Sequence, residues 1–108
     1  MISEDLLKAD IDTSTSGDNT IISAPSQGYI AIDFITMLPT SAVTVQMKDG
    51  ATDYGGPLPL DAKQPFTFEN VTGHDRGVIT ISNGNSFVIN LSGAVQVGGF
   101  VRYRIVGQ

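Results

Sequence analysis

The side chains best suited to chemistry lie in two polar stretches. "GHDRG", residues 73–77, carries the only histidine, His74, next to Asp75 and Arg76. A histidine and a carboxylate could serve a hydrolytic triad with a serine, but no G-x-S-x-G elbow and no cysteine marks a nucleophile. Adjacent residues usually point apart, so His74 and Asp75 suit a solvated loop better than a catalytic pair. Asp49, Asp53 and Asp61 lie near two turns and could meet a calcium ion. "DGATD" is not an EF-hand loop, which needs denser acids and a closing glutamate. Gly-rich "YGGP" and "VGGF" lack the strand–loop–helix context that cradles phosphate. Sugar platforms favour tryptophan, which is absent; Tyr29, Tyr54 and Tyr103 serve equally well in a core or an interface. The expectation is a non-enzymatic protein with no catalytic residue, no cofactor and no metal.

Charge is distributed unevenly. The net charge is −5, with six Lys and Arg. That few cations argues against nucleic acid, whose phosphates must be met by Lys or Arg. No apolar run approaches the roughly 20 residues that span a bilayer, so no membrane partner is expected. "MISEDLLKAD" lacks the basic and apolar regions of a signal peptide, which implies synthesis in a cytosol. Glu4, Asp5, Asp10, Asp12 and Asp18 crowd the first eighteen residues against Lys8 alone, whereas the last ten hold Arg102 and Arg104 and no acid. Arg102 and Arg104 share one strand face with Phe100. Arginine and aromatic residues are enriched at interfaces. The interface candidates are therefore Phe100, Arg102 and Arg104, meeting either Asp10 and Asp12 or a neighbouring protein. Asp33, alone on an apolar strand face, is a further candidate: an edge-blocking charge, a salt-bridged interface residue or a functional acid.

The elements that must position these residues are short strands. Gly and Pro recur at close intervals, and no long stretch has a 3.6-residue stripe. The one helix candidate, residues 2–8, has Ser3 as cap and Glu4 and Asp5 in its first turn; a partner-bound arm over 1–16 is the equal alternative. Residues 19–24 read as a strand stopped by Pro25. In "YIAIDFITML", residues 29–38, Ile30, Ile32, Phe34 and Leu38 share one face and Tyr29, Ala31, Asp33, Ile35 and Met37 the other. In "AVTVQMKDG", Val43, Val45 and Met47 face in. Two prolines confine "PLPL", residues 57–60, to an edge or connector. Phe66 and Phe68 alternate inwards. Asn83-Gly84 signals a hairpin. A three-residue loop puts Ile79 against Ile89 and Ile81 against Phe87, gathering the apolar residues on one face.

"LSGAVQVGGFVRYRIV", residues 91–106, keeps period two through Val97, Val101, Tyr103 and Ile105, yet Gly98 and Gly99 sit inside it. Glycine weakens a strand, so it marks a bend or a close backbone approach. The expectation is a bend that carries the strand from one sheet to the other, with contact to a second subunit as the alternative. About eight strands joined by short connections give an all-β antiparallel β-sandwich of jelly-roll type, in one domain over 17–108, or else a small β-barrel.

"GDNTII" (17–22), "VTVQMKDGAT" (43–52), "GPLPL" (56–60) and "INLSGAVQVGGFVRY" (89–103) together resemble small all-β virion proteins of tailed bacteriophages. The likeness covers roughly residues 17–106. It implies a sandwich fold, frequent homotrimers and a place on the virion, as a head decoration or cement protein bound to the major capsid protein. A tail- or fibre-associated module that binds host carbohydrate is the alternative role, which sugar binding lost on Tyr54→Ala would favour. The resemblance marks no catalytic residue.

Overall fold

Strand-favouring residues at period two make ten strands in a computed structural model that describes residues 6–71 and 77–107. They are β1 (Leu7–Thr13), β2 (Gly17–Ile22), β3 (Tyr29–Pro39), β4 (Val43–Asp49), β5 (Thr52–Asp53), β6 (Leu58–Leu60), β7 (Phe66–Glu69), β8 (Ile79–Ile81), β9 (Phe87–Leu91) and β10 (Val97–Val106). All pairings are antiparallel. The first sheet runs β1-β10-β3, and the far edge of β3 is shared by β8 at Ile30–Ile32 and β7 at Phe34–Met37. The second runs β2-β9-β4, with the far edge of β4 shared by β6 and β5. The first strand pairs with the last and the second with the next to last. The remaining strands nest inside them, so the ribbon winds as a jelly roll. The two sheets pack as a β-sandwich, not a closed barrel.

The inner faces bury Ile11, Ile30, Ile32 and Ile35 against Val45, Phe87 and Ile89, all at 1% exposure or less. Val43, Val45 and Met47 face in as the alternation predicts, and Pro59 lies on an edge strand. Among the described residues no polar side chain is buried, so apolar burial of about 1.5–3 kcal/mol per large side chain drives the packing.

Several expectations give way. Residues 7 and 8 belong to a strand, not a helix, and residues 1–5 lie outside the described residues. Residues 7–13, read as part of an arm, pair with β10 along their whole length and bury Ile11 in the core. Asn83-Gly84 does not close a hairpin. Asn85 N–H donates to Ser82 O at 3.0 Å, and Gly84 takes φ +75° while Asn83 stays at negative φ. That is the type II pattern, whose twist splays the strands it joins. β8 therefore pairs with β3 and β9 with β2 and β4 in the opposite sheet. Ile79, Ile81, Phe87 and Ile89 do share the core, but from the two sheets instead of side by side in one.

Gly98 and Gly99 do not bend β10 into the second sheet. β10 pairs with β1 and β3 through both glycines without a break. Gly99, at φ +152°, lets β3 come close: a Cβ there would stand 1.9 Å from Thr36 O. The close approach is made by the chain's own backbone. Phe66 packs on the core, but Phe68 is 47% exposed, because β7 is a short edge strand whose far side meets no other described strand.

Candidate interaction face

The placement of Asp33 and of the outward-facing residues of β3 follows from one irregularity in that strand. The register runs Arg102↔Phe34 and then Tyr103↔Ile32, so Asp33 is an extra residue, a β-bulge. The bulge reverses the alternation. Ile30 and Ile32 face the core before it, Ile35 and Met37 after it, and Phe34 turns outwards. β3 also changes partner there, from β8 to β7, and Asp33 O accepts Asn70 N–H at 2.8 Å.

The Asp33 carboxylate closes the junction. Arg104 donates to it twice, Nε to Oδ2 at 2.7 Å and Nη2 to Oδ1 at 3.1 Å, and Asn70 Nδ2 adds a bond of 3.1 Å to Oδ1. Such a two-pronged pair is among the stronger charged contacts. Both side chains are only about a fifth exposed. Partial burial pushes the Asp33 carboxyl up, but the Arg104 and Asn70 bonds outweigh it and hold the group below its ordinary value. Asp33 and Arg104 thus join β10 to the bulge of β3. Of the three readings of Asp33, the salt bridge is the one seen, and it is intramolecular.

Beyond the bulge, residues of four strands lie in rows on the outer face of the first sheet. One row is Lys8, Arg102, Phe34 and Glu69; the next is Asp10, Phe100, Thr36 and Thr67; a third holds Asp12, Gly98 and Leu38. The Phe34 and Phe100 rings lie 5.4 Å apart, tilted by 36°, within the range of favourable aromatic pairs. The Thr36 and Thr67 hydroxyls share a 3.0 Å hydrogen bond. Leu38 is 40% exposed. The acids of β1 lie beside the basic strand but do not bind it. Lys8 Nζ takes Asp10 at 3.0 Å, and Asp12 Oδ1 accepts from Gln96 Nε2 at 2.7 Å. Arg102 is exposed and makes no ion pair among the described residues. It stands opposite Lys8, and like charges facing each other across a ladder repel.

Lys8 joins this face by alternation along β1, two residues from Asp10; Phe34 and Thr36 join it because the bulge turns them outwards. The interruption of an apolar run by Asp33 was the only hint.

The other candidates are occupied otherwise. Tyr54 is half-buried against the core, and its hydroxyl accepts Thr80 N–H at 3.5 Å, so its ring is not an open sugar platform. Asp49 Oδ2 accepts from Ser82 N–H at 3.0 Å and from Ser82 Oγ at 2.7 Å, and Oδ1 accepts from Asn85 Nδ2 at 2.9 Å. Burial raises its pKa, but the bonds from Ser82 and Asn85 prevail and lower it. Asp49 therefore fixes the crossing turn between the sheets. Asp53 lies opposite Lys48 at the β4–β5 pairing, and Asp61 lines a cavity of about 250 Å³ with Thr44 and Ser92. No three His, Cys, Asp or Glu side chains converge on a metal-sized site among the described residues. His74, Asp75 and Arg76 lie outside the described residues.

No family model, characterised protein or solved structure matches this chain. The likeness to phage virion proteins rests on the quoted residues alone.

Proposed function

We propose that the protein is a non-enzymatic structural component of a bacteriophage virion, a head decoration or cement protein that docks on the major capsid protein and strengthens the shell. The observation that carries docking is Arg102. It is a cation without an ion pair among the described residues, set opposite Lys8 and beside the half-buried Phe34–Phe100 pair, on the face that also exposes Leu38. Aromatic residues next to an arginine are the usual anchors of a protein interface. Such a face fits a surface that offers a carboxylate beside an apolar residue. The choice of capsid protein as that surface comes from the sequence resemblance.

The experiment is co-sedimentation with empty capsids built from the same phage's shell protein. The wild type should saturate the shell at a fixed copy number. Phe100→Ala and Arg102→Glu should each lower occupancy at least tenfold while leaving the fold intact by circular dichroism. Full occupancy by both variants would remove this face from the interface, and no binding by the wild type would remove the capsid.

A further inference from the structure

We infer that β1 is a self-pairing edge, and that two copies of this chain join through it into one continuous sheet. An edge strand offers unpaired N–H and C=O groups. Folded proteins usually blunt such edges through the backbone, by shortness, proline or a bulge, or by charged side chains. Of these devices β1 carries only charges, Lys8, Asp10 and Asp12, and these are of both signs. Every other edge here is blunted through the backbone. β5, β6, β7 and β8 have two to four residues each, and β6 also carries Pro59. β2 has a register shift between Thr20 and Ile22. β1 has seven residues, no proline, no glycine and no register shift along β10. Its second edge pairs with no described strand.

The side chains of β1 indicate what covers that edge. In an antiparallel pair, opposed residues point to the same side, so both cores stay on one side only if the paired residue numbers sum to an even value. Among those registers, a two-fold axis at Asp10 opposes Lys8 to Asp12 of the second copy but also sets Asp10 against Asp10 of the second copy, a like-charge pair. An axis at Ile11 sets Asp10 against Asp12 of the second copy, and an axis at Lys8 sets two lysines together. An axis at Ala9 alone opposes Lys8 to Asp10 of the second copy, twice by symmetry, and Leu7 to Ile11 of the second copy. Opposite charges directly across a ladder stabilise it and like charges weaken it. The charge pattern therefore selects a second copy, antiparallel, with Ala9 on the axis. Lys8 and Asp10 already meet within one chain at 3.0 Å, on an exposed face where such a pair contributes little. Exchanging partners across the axis therefore sacrifices little.

The join would make a ten-stranded sheet from two five-stranded ones and bring the two outer faces side by side. It rests on the edge alone and not on the docking reading, but if that reading holds, two coplanar faces would add avidity on a lattice. A two-fold edge closes at two copies, so it departs from the homotrimer that the sequence resemblance implies.

Light scattering and sedimentation over a wide concentration range test the inference on the whole protein. The wild type should show a monomer–dimer equilibrium. Outward-pointing amides of β1 should exchange more slowly as concentration rises. Lys8→Asp and Asp10→Lys should each weaken the dimer about tenfold or more, since each converts both cross-axis pairs to like charges. Combining them should restore it, because the pairs are then only reversed. Circular dichroism shows whether each variant folds. A monomer at all concentrations, a trimer, or a dimer indifferent to both single substitutions would overturn the inference. None of these outcomes depends on capsid binding.

Discussion

Adding one methyl group at Gly99 should damage the fold far more than adding the same group at Gly98. The two glycines are neighbours in the middle of β10, and sequence alone does not separate them. At Gly99 the new Cβ would lie 1.9 Å from Thr36 O and 2.8 Å from the Met37 Cα, both backbone atoms of β3. Neither can swing aside as a flexible side chain would. Ordinary contact between carbon atoms needs about 3.5 Å or more, so β10 and β3 must part locally. Overpacking of this kind costs about 1–3 kcal/mol. A left-handed φ for a residue with a Cβ adds about 1–3 kcal/mol, and Gly99 sits at +152°. The total is about 2–6 kcal/mol, a large part of the ~5–15 kcal/mol that holds a domain together. At Gly98 nothing lies within 4 Å and φ is not left-handed. Alanine there should be neutral or stabilise by up to about 1 kcal/mol, by restricting the unfolded chain. Urea titrations should show a large drop in midpoint for Gly99→Ala at unchanged slope. Thermal scans should show a loss of about 8–24 °C, at roughly 4 °C per kcal/mol. If the two variants melt within a few degrees of each other, the close approach of β10 to β3 is not what Gly99 serves.

Two further outcomes follow from the carboxylates. Asp33 and Asp49 both titrate below the ordinary value of 3.8. A depressed pKa gives stability that is fully present above the unfolded value and is lost as pH falls through the folded one. Unfolding free energy should therefore be flat above about pH 5 and fall steeply below about pH 4. The acid-side slope should be shallower in Asp33→Asn; an unchanged slope would deny Asp33 its charged bonds. Asp49→Ala should cost about 1–3 kcal/mol, because Ser82 and Asn85 lose their acceptor. Thermal unfolding measures it, and a loss below about 0.5 kcal/mol would show that the crossing turn holds itself.

The sequence by itself determined what is local. Alternation at Val43, Val45 and Met47 names an inward face, because a strand sends successive side chains to opposite sides whatever it pairs with. Proline at 57 and 59 restricts its segment to an edge, because the missing donors are a property of the residue. Short connections and many turns compel antiparallel sheets, and the jelly-roll sandwich follows. The interface candidates on β10 were legible as a strand face for the same reason. Tertiary structure decided everything that depends on a distant partner. Asn83-Gly84 makes a type II crossing, not a hairpin, because its flanking strands find better neighbours in β3 and β4. Asp33 is a bulge because β3 must pass from β8 to β7 while staying paired with β10, and that single extra residue turns Phe34 outwards. Arg104 meets Asp33 across 71 positions of chain, and Arg102, two residues earlier, is left exposed. Period two predicts which residues share a face; only the packed sheets decide which faces meet each other and which meet solvent.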